Sequence, residues 1–269
     1  MPDCFAGIQP HVAFVFFFIK ILFVMHLEIT DTFPSPILRD FRLFLDELTD
    51  TPSPLTPSLN LARKTLFGLN KKMSWQAAGV TEKSDQILYP LLNLFYHLCI
   101  ESDLFRLNSE AKKQFFEPNV EKIHAFRAMQ PAAQYFFLLE TYLQHCDVES
   151  LDPNRRFELP YLLLESLPIL ILAKPDEVVK VGTNHKNPFY GLAWTLGYHG
   201  LYFEYFGLWK AKAEPNERGY SKTWIKFESL ALATFGKFFF ETLLDKKAFQ
   251  TDDDDGKEYM LIDETALFY

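Results

Sequence analysis

The clearest chemistry in this 269-residue chain lies in two groups of cations. One is Arg63, Lys64, Lys71 and Lys72, in a stretch with no acid between Asn60 and Val80. The other is Lys210, Lys212, Arg218, Lys222, Trp224 and Lys226. Lysine and arginine hold phosphate oxygens, and an indole between lysines offers a stacking surface for a base. The alternation Lys222, Trp224, Lys226 would put all three on one face of a strand. These types and spacings suit contact with a nucleic-acid backbone. A second source of the same pattern is a solvated hairpin whose lysines discourage edge pairing.

Other chemistries have little to stand on. No Gly-x-Ser-x-Gly, no Walker or dinucleotide glycine motif and no His-Glu-x-x-His occurs. His145-Cys146 and His97-x-Cys99 lack the spacing that places ligands on one side of a zinc ion. His97, His145 and His199 sit in apolar helical contexts and read as structural, while Glu140, Glu165 and Glu204 lie inside apolar helices and read as facing solvent, with buried acids as the alternative. The sequence therefore leads us to expect a non-enzymatic protein with no catalytic residue, no metal, no cofactor and no small-molecule substrate. Its expected partners are nucleic acid or another protein. The cysteines, Cys4, Cys99 and Cys146, are odd in number and widely spaced, as in a reduced, cytoplasmic protein.

The formal charge of −8 is unevenly spread. Residues 251–269 hold seven acids and one base, which leaves the rest of the chain within two charges of neutral. Residues 248–269 thus read as an acidic tail, with Asp252 to Asp255 as a solvating run. At the other end, residues 12–25 (VAFVFFFIKILFVM) are apolar but shorter than a membrane span and interrupted by Lys20. Two readings of residues 1–25 stay open: translation starting at Met25, or a buried strand or short helix. A membrane-inserted segment is not expected.

Helices must position the cations. The 28 phenylalanines against 11 glycines favour helix cores over tight hairpins. Residues 36–48 place Ile37, Leu38, Phe41, Phe44, Leu45 and Leu48 on one helical face, and residues 60–73 turn Leu61, Leu66 and Leu69 inward. Further helices are expected over 84–100, with a kink or start at Pro90, over 109–116 after a short strand 104–107, over 131–145, in short pieces over 157–181, and over 188–206. Residues 208–212 and 222–227 alternate as strands around the turn 213–219, and a helix opens after Leu232. Helix, strand, turn, strand and helix in this order is winged-helix-like, with 208–227 as the wing.

The segment Leu107–Phe115 also aligns without gaps onto Leu232–Phe240, sharing a leucine, a capping hydroxyl, a small residue, a lysine and an aromatic. This suggests two units, 26–149 and 150–247. The expected fold is mainly α, two winged-helix-like helical units with a small β-hairpin wing in the C-terminal one. The run from FLDELTDTPSPLTPSLNLARKTLFGLNKKM to YFGLW and KFESLALATFGKFFFETL resembles a helical region of the prokaryotic plasmid pRi open-reading-frame-three-like family. The resemblance spans most of 35–247, and the family's hallmark domain with its Trp-Arg-Arg signature is absent. It implies a helical, intracellular, prokaryotic protein and adds no site residue. The functional expectation is a non-enzymatic winged-helix-like protein binding nucleic acid, with a protein-interaction or scaffold module as the alternative.

Overall fold

The computed structural model describes residues 28–50, 53–108, 114–152, 159–182, 186–214, 223, 225–245, 249–254 and 257–262. The N-terminal segment 1–25 lies outside the described residues, as do Arg218, Lys222 and Trp224. Helix α1 (Ile37–Thr49) buries the six apolar residues of its inner face. Asp40 on the same helix is also buried, and it accepts from the Ser74 backbone N–H at 2.7 Å and the Ser74 hydroxyl at 2.9 Å. The chain then makes the two-residue strand β1 (Ser53–Pro54) and helix α2 (Arg63–Asn70). Helix α3 (Pro90–Glu101) starts at Pro90 itself, where the missing N–H costs nothing. Strands β2 (Phe105–Asn108) and β3 (Phe115–Pro118) follow, with helix α4 (Val120–Ala128) after them.

Helix α5 (Pro131–Glu140) runs into a π-turn over Thr141–His145, and helix α6 (Val148–Leu151) closes this middle section. The earlier order then recurs. Helix α7 (Leu159–Leu170), strand β4 (Val179–Lys180), helices α8 (Tyr190–Thr195) and α9 (Gly197–Tyr205), strands β5 (Trp209–Ala213) and β6 (Phe227–Leu232), and helix α10 (Thr234–Asp245) match α1 to α4 element for element, with α2 and α3 as the counterparts of α8 and α9. Each half forms a three-stranded antiparallel sheet in which the third strand lies between the other two, β1-β3-β2 and β4-β6-β5.

These two sheets overturn the expectation of a mainly α fold with a single hairpin wing; the architecture is mixed helix and sheet. Residues 115–116, expected at the end of a helix, are in β3, because Phe116 pairs with Leu107 and stacks on Phe105 with centroids 4.3 Å apart. The second strand of the later hairpin is 227–232, five residues beyond its expected place. The single aromatic helix expected over 188–206 is two, broken where Gly197 takes a positive φ of 47°. Residues 159–170 form one continuous helix that contains Pro168. Nor is the Leu107 and Leu232 alignment a structural equivalence: Leu107 lies in β2, whose counterpart is β5, whereas Leu232 ends β6. The stretch read as an acidic tail contains a two-stranded hairpin, β7 (Phe249–Asp254) and β8 (Lys257–Ile262), whose backbone lies against the π-turn, α6 and α7.

One hydrophobic cluster joins both halves, from Ile29 to Leu243. At its centre α9 packs on α3. Helix α9 is buried around its circumference, through Tyr198, His199, Tyr202, Phe203 and Tyr205. Burying so many polar aromatic tips is tolerable only if each finds a partner. Tyr198 donates to the Ile87 carbonyl at 2.6 Å and Tyr202 to the Leu151 carbonyl at 2.9 Å. Tyr142 and His199 Nδ1 lie 2.8 Å apart.

Close backbone approach gives a test of this packing. A Cβ on Gly236 of α10 would fall 1.7 Å from the Leu208 carbonyl oxygen, whereas one on Gly68 of α2 would meet nothing within 4 Å. We expect Gly236→Ala to cost about 3 kcal/mol or more. Gly68→Ala should instead stabilise by roughly 0.5–1 kcal/mol, since a helical glycine gives way to alanine. Urea denaturation of the two variants reads both effects, and equal midpoints would contradict the packing described.

Candidate functional site

The outer face of the second sheet gathers charge. In its register Lys180 pairs with Ser229, and Ser229 with Lys212 across β5, so the three stand in one row across three strands. Lys210 stands two residues along the same face of β5, opposite Ala231. The alternate residues Trp209, Leu230 and Leu232 are buried on the inner side. Period-two alternation thus sends the lysines outward. They line a shallow depression of about 410 Å³ together with Asp176, Val178 and Glu228.

Each side of this depression carries a carboxylate. Lys210 Nζ lies 2.7 Å from Asp176, and Lys212 Nζ 2.8 Å from Glu228. Lys226, just before β6, is 2.5 Å from Glu214. The ammonium of Lys212, which donates a hydrogen bond to it, holds the Glu228 carboxyl below its ordinary value, and Lys180 lowers it further.

The cations of the other group belong to α2 and pair within the first half of the fold. Arg63 makes two hydrogen bonds to Asp85 Oδ1, at 2.6 and 2.8 Å. Lys72 is 2.6 Å from Glu47, and Lys71 sits 4.1 Å from the centre of the Phe67 ring. Lys64 is exposed in the first turn. Of the ten residues singled out in sequence, the second sheet brings Lys210 and Lys212 together. Lys180 and Ser229 were missed, because β4 has two residues, too few to show alternation, and Lys180 reaches the others only by its pairing with β6.

The first sheet shows what the fold itself requires at these positions. By register, Pro54 corresponds to Lys180, Arg106 to Lys210, Asn108 to Lys212 and Phe115 to Ser229. Arg106 is held by Asp103 in a two-point pairing at 2.7 and 2.8 Å. The same scaffold position is therefore built without the row of lysines, which belongs to the second sheet alone.

His97 is largely buried, and Cys99 and Cys146 are buried. Burial lowers the His97 pKa to about 4 against the opposing pull of Asp147, and burial pushes the Cys99 and Cys146 thiols up, away from the reactive thiolate. Among the described residues no group of histidine, cysteine and acidic side chains is placed to hold a metal. No helix among them is long and apolar enough to cross a membrane. Comparison with protein-family models, characterised proteins and solved structures gives no match.

The electrostatics of the face can be checked residue by residue. Removing Lys212 should let the Glu228 carboxyl rise back toward its ordinary value, and removing Lys180 should raise it less. The sign follows from the depressed folded value: the pairing stabilises above the ordinary carboxyl range and is lost as pH falls through the folded pKa. Carboxyl-carbon NMR titration of wild type, Lys212→Ala and Lys180→Ala measures the shifts. Identical titration of Glu228 in all three would contradict this arrangement.

Proposed function

We propose that this is a non-enzymatic binding protein whose working surface is the outer face of the second sheet, and that it contacts the phosphates of nucleic acid there without reading bases. The observation that carries the reading is the row Lys180, Ser229 and Lys212, with Lys210 beside it, at positions that the first sheet fills with no lysine. The lysine–carboxylate pairs are exposed, and such pairs contribute only about 0–1 kcal/mol. A phosphate oxygen can take the place of a carboxylate at little cost. Groove reading by a helix has less support, because α3 and α9 are packed against each other in the core. The resemblance to the pRi open-reading-frame-three-like family adds no residue to this reading, and the cytoplasm, proposed as its compartment, rests on cysteine usage.

A second reading, docking of a protein partner on the same face, is favoured by Asp176 and Glu228 within the depression and by the exposed aliphatic side chain of Val178 in its lining. Fluorescence anisotropy with random-sequence duplex DNA separates the two. With about three phosphates neutralised, the expected salt slope weakens binding about 40-fold between 50 and 200 mM salt, from a Kd of about 10 µM at the lower value. The charge reversals K180E, K210E and K212E together should abolish it. Absence of binding at 50 mM salt, or binding unaffected by the three reversals, would overturn the nucleic-acid reading and leave the protein partner.

A further inference from the structure

Helix α2 carries cations that the sheet face does not use. Arg63 and Lys72 are taken up by Asp85 and Glu47. Lys64 and Lys71 make no ion pair among the described residues, and no acid stands between Asn60 and Val80 to pair with them along the chain. Both are exposed. Seven residues apart, they lie on one side of the helix, about 10 Å from each other along its axis.

Phe67 and Gly68 fill the space between them. Phe67 is half-buried and stands outside the hydrophobic cluster, and its ring is covered by the Lys71 ammonium, 4.1 Å from the ring centre. In a molecule whose rings form its core, this one is left at the surface under a lysine. Gly68 is exposed, its φ lies outside the left-handed region, and a Cβ there would meet nothing within 4 Å. The fold therefore has no need of a glycine at this position, where it weakens the helix relative to alanine. What it supplies is bare backbone beside the Phe67 ring. The counterpart of α2 in the second half, α8, has no charged residue, so the scaffold does not require the two lysines either.

We propose that the face of α2 formed by Lys64, Phe67, Gly68 and Lys71 binds single-stranded nucleic acid. A base stacks on the Phe67 ring, and Lys71 leaves the ring for a phosphate. Base–aromatic stacking is stronger than an exposed cation–π contact, which makes the exchange favourable. Lys64 takes a second phosphate, and Gly68 lets the strand come against the helix. A duplex keeps its bases stacked on one another and has none to give Phe67, and an acidic peptide brings charge without a base. The proposal concerns another surface and another form of nucleic acid than the sheet reading, so each can fail without the other.

Fluorescence anisotropy with a short labelled oligothymidylate tests it, on the full chain carrying Lys180→Gln, Lys210→Gln and Lys212→Gln so that the sheet lysines do not contribute. Binding should be saturable and weaken about seven-fold between 50 and 200 mM salt, as for two phosphates contacted on a single strand. An abasic strand of the same length should bind at least ~5-fold more weakly, and Phe67→Ala should lose the same factor, since each removes one stacked base. Lys64→Gln with Lys71→Gln should remove the salt dependence. Gly68→Gln should weaken binding while the fold stays at least as stable, a combination that a merely structural residue would not give. No saturable binding, or unchanged binding by Phe67→Ala or Gly68→Gln, would overturn the proposal. Equal binding of the abasic strand would overturn it in favour of a general polyanion such as an acidic protein. Circular dichroism of each variant separates loss of binding from loss of fold.

Discussion

The mutual burial of α3 and α9 is the constraint on which the rest of the molecule depends. Neither helix has a polar face to give to water: α3 buries eight of its twelve residues, and α9 buries seven of nine. Such helices are stable only when wrapped on all sides. On another side of α9, Gly200 lies so close to the Phe227 ring of β6 that a Cβ there would come to 2.3 Å of it. The tyrosines then fix the register. A buried phenol without an acceptor would cost about 1–3 kcal/mol, and Tyr198 and Tyr202 each have a carbonyl acceptor outside their own half's sheet, at Ile87 and Leu151. Within the second half, the Trp209 indole N–H donates to the Gly200 carbonyl at 2.8 Å and fixes β5 on α9.

What remains for the surface follows from that burial. With the two central helices inside, each half shows solvent the outer face of a three-stranded sheet, and the two faces have diverged in chemistry on one scaffold. The first carries Pro54, Phe115 and an arginine held by its own aspartate; the second carries three lysines around Ser229. Because the shared order of elements fixes which positions point outward, the difference lies in the residues chosen. The middle section, α5 with its π-turn and α6, contributes a different surface, where the helix is distorted and a cavity opens beside it. The aromatic load is explained by the interior: rings such as Phe41, Phe44, Phe95 and Phe126 form one edge-to-face and stacked network in the first half, and in the second Phe203 and Phe240 pack on Trp209, with Phe239 against Phe240.

Legibility in the sequence tracked length and locality. Helix α1 declares itself because thirteen residues give nearly four turns of periodicity, and its inner face is the one that the spacing of Ile37, Phe41, Phe44 and Leu48 defines. Strands β1 and β4 have two residues each, too few to alternate, so neither sheet could be counted from the sequence. Residues Phe115 and Phe116 fit a helix or a strand equally well by type, and what decides is their pairing with β2. The same limit applied to the candidate site. Lys210 and Lys212 stood out by alternation, but Asp176 and Glu228, which pair with them, are distant or on another strand and carry no local signal. Lys180 joined them only through the register of β4 on β6.

The α3 and α9 contact should hold the two halves as one cooperative unit. Hydrogen exchange read by mass spectrometry across a urea series tests it most directly, because each amide reports the opening free energy of the segment that protects it. The slowest amides of α3, β2 and β3 and those of α9, β5 and β6 should open with the same free energy and the same urea dependence. Loss of protection in one half at a urea concentration where the other stays fully protected would contradict it.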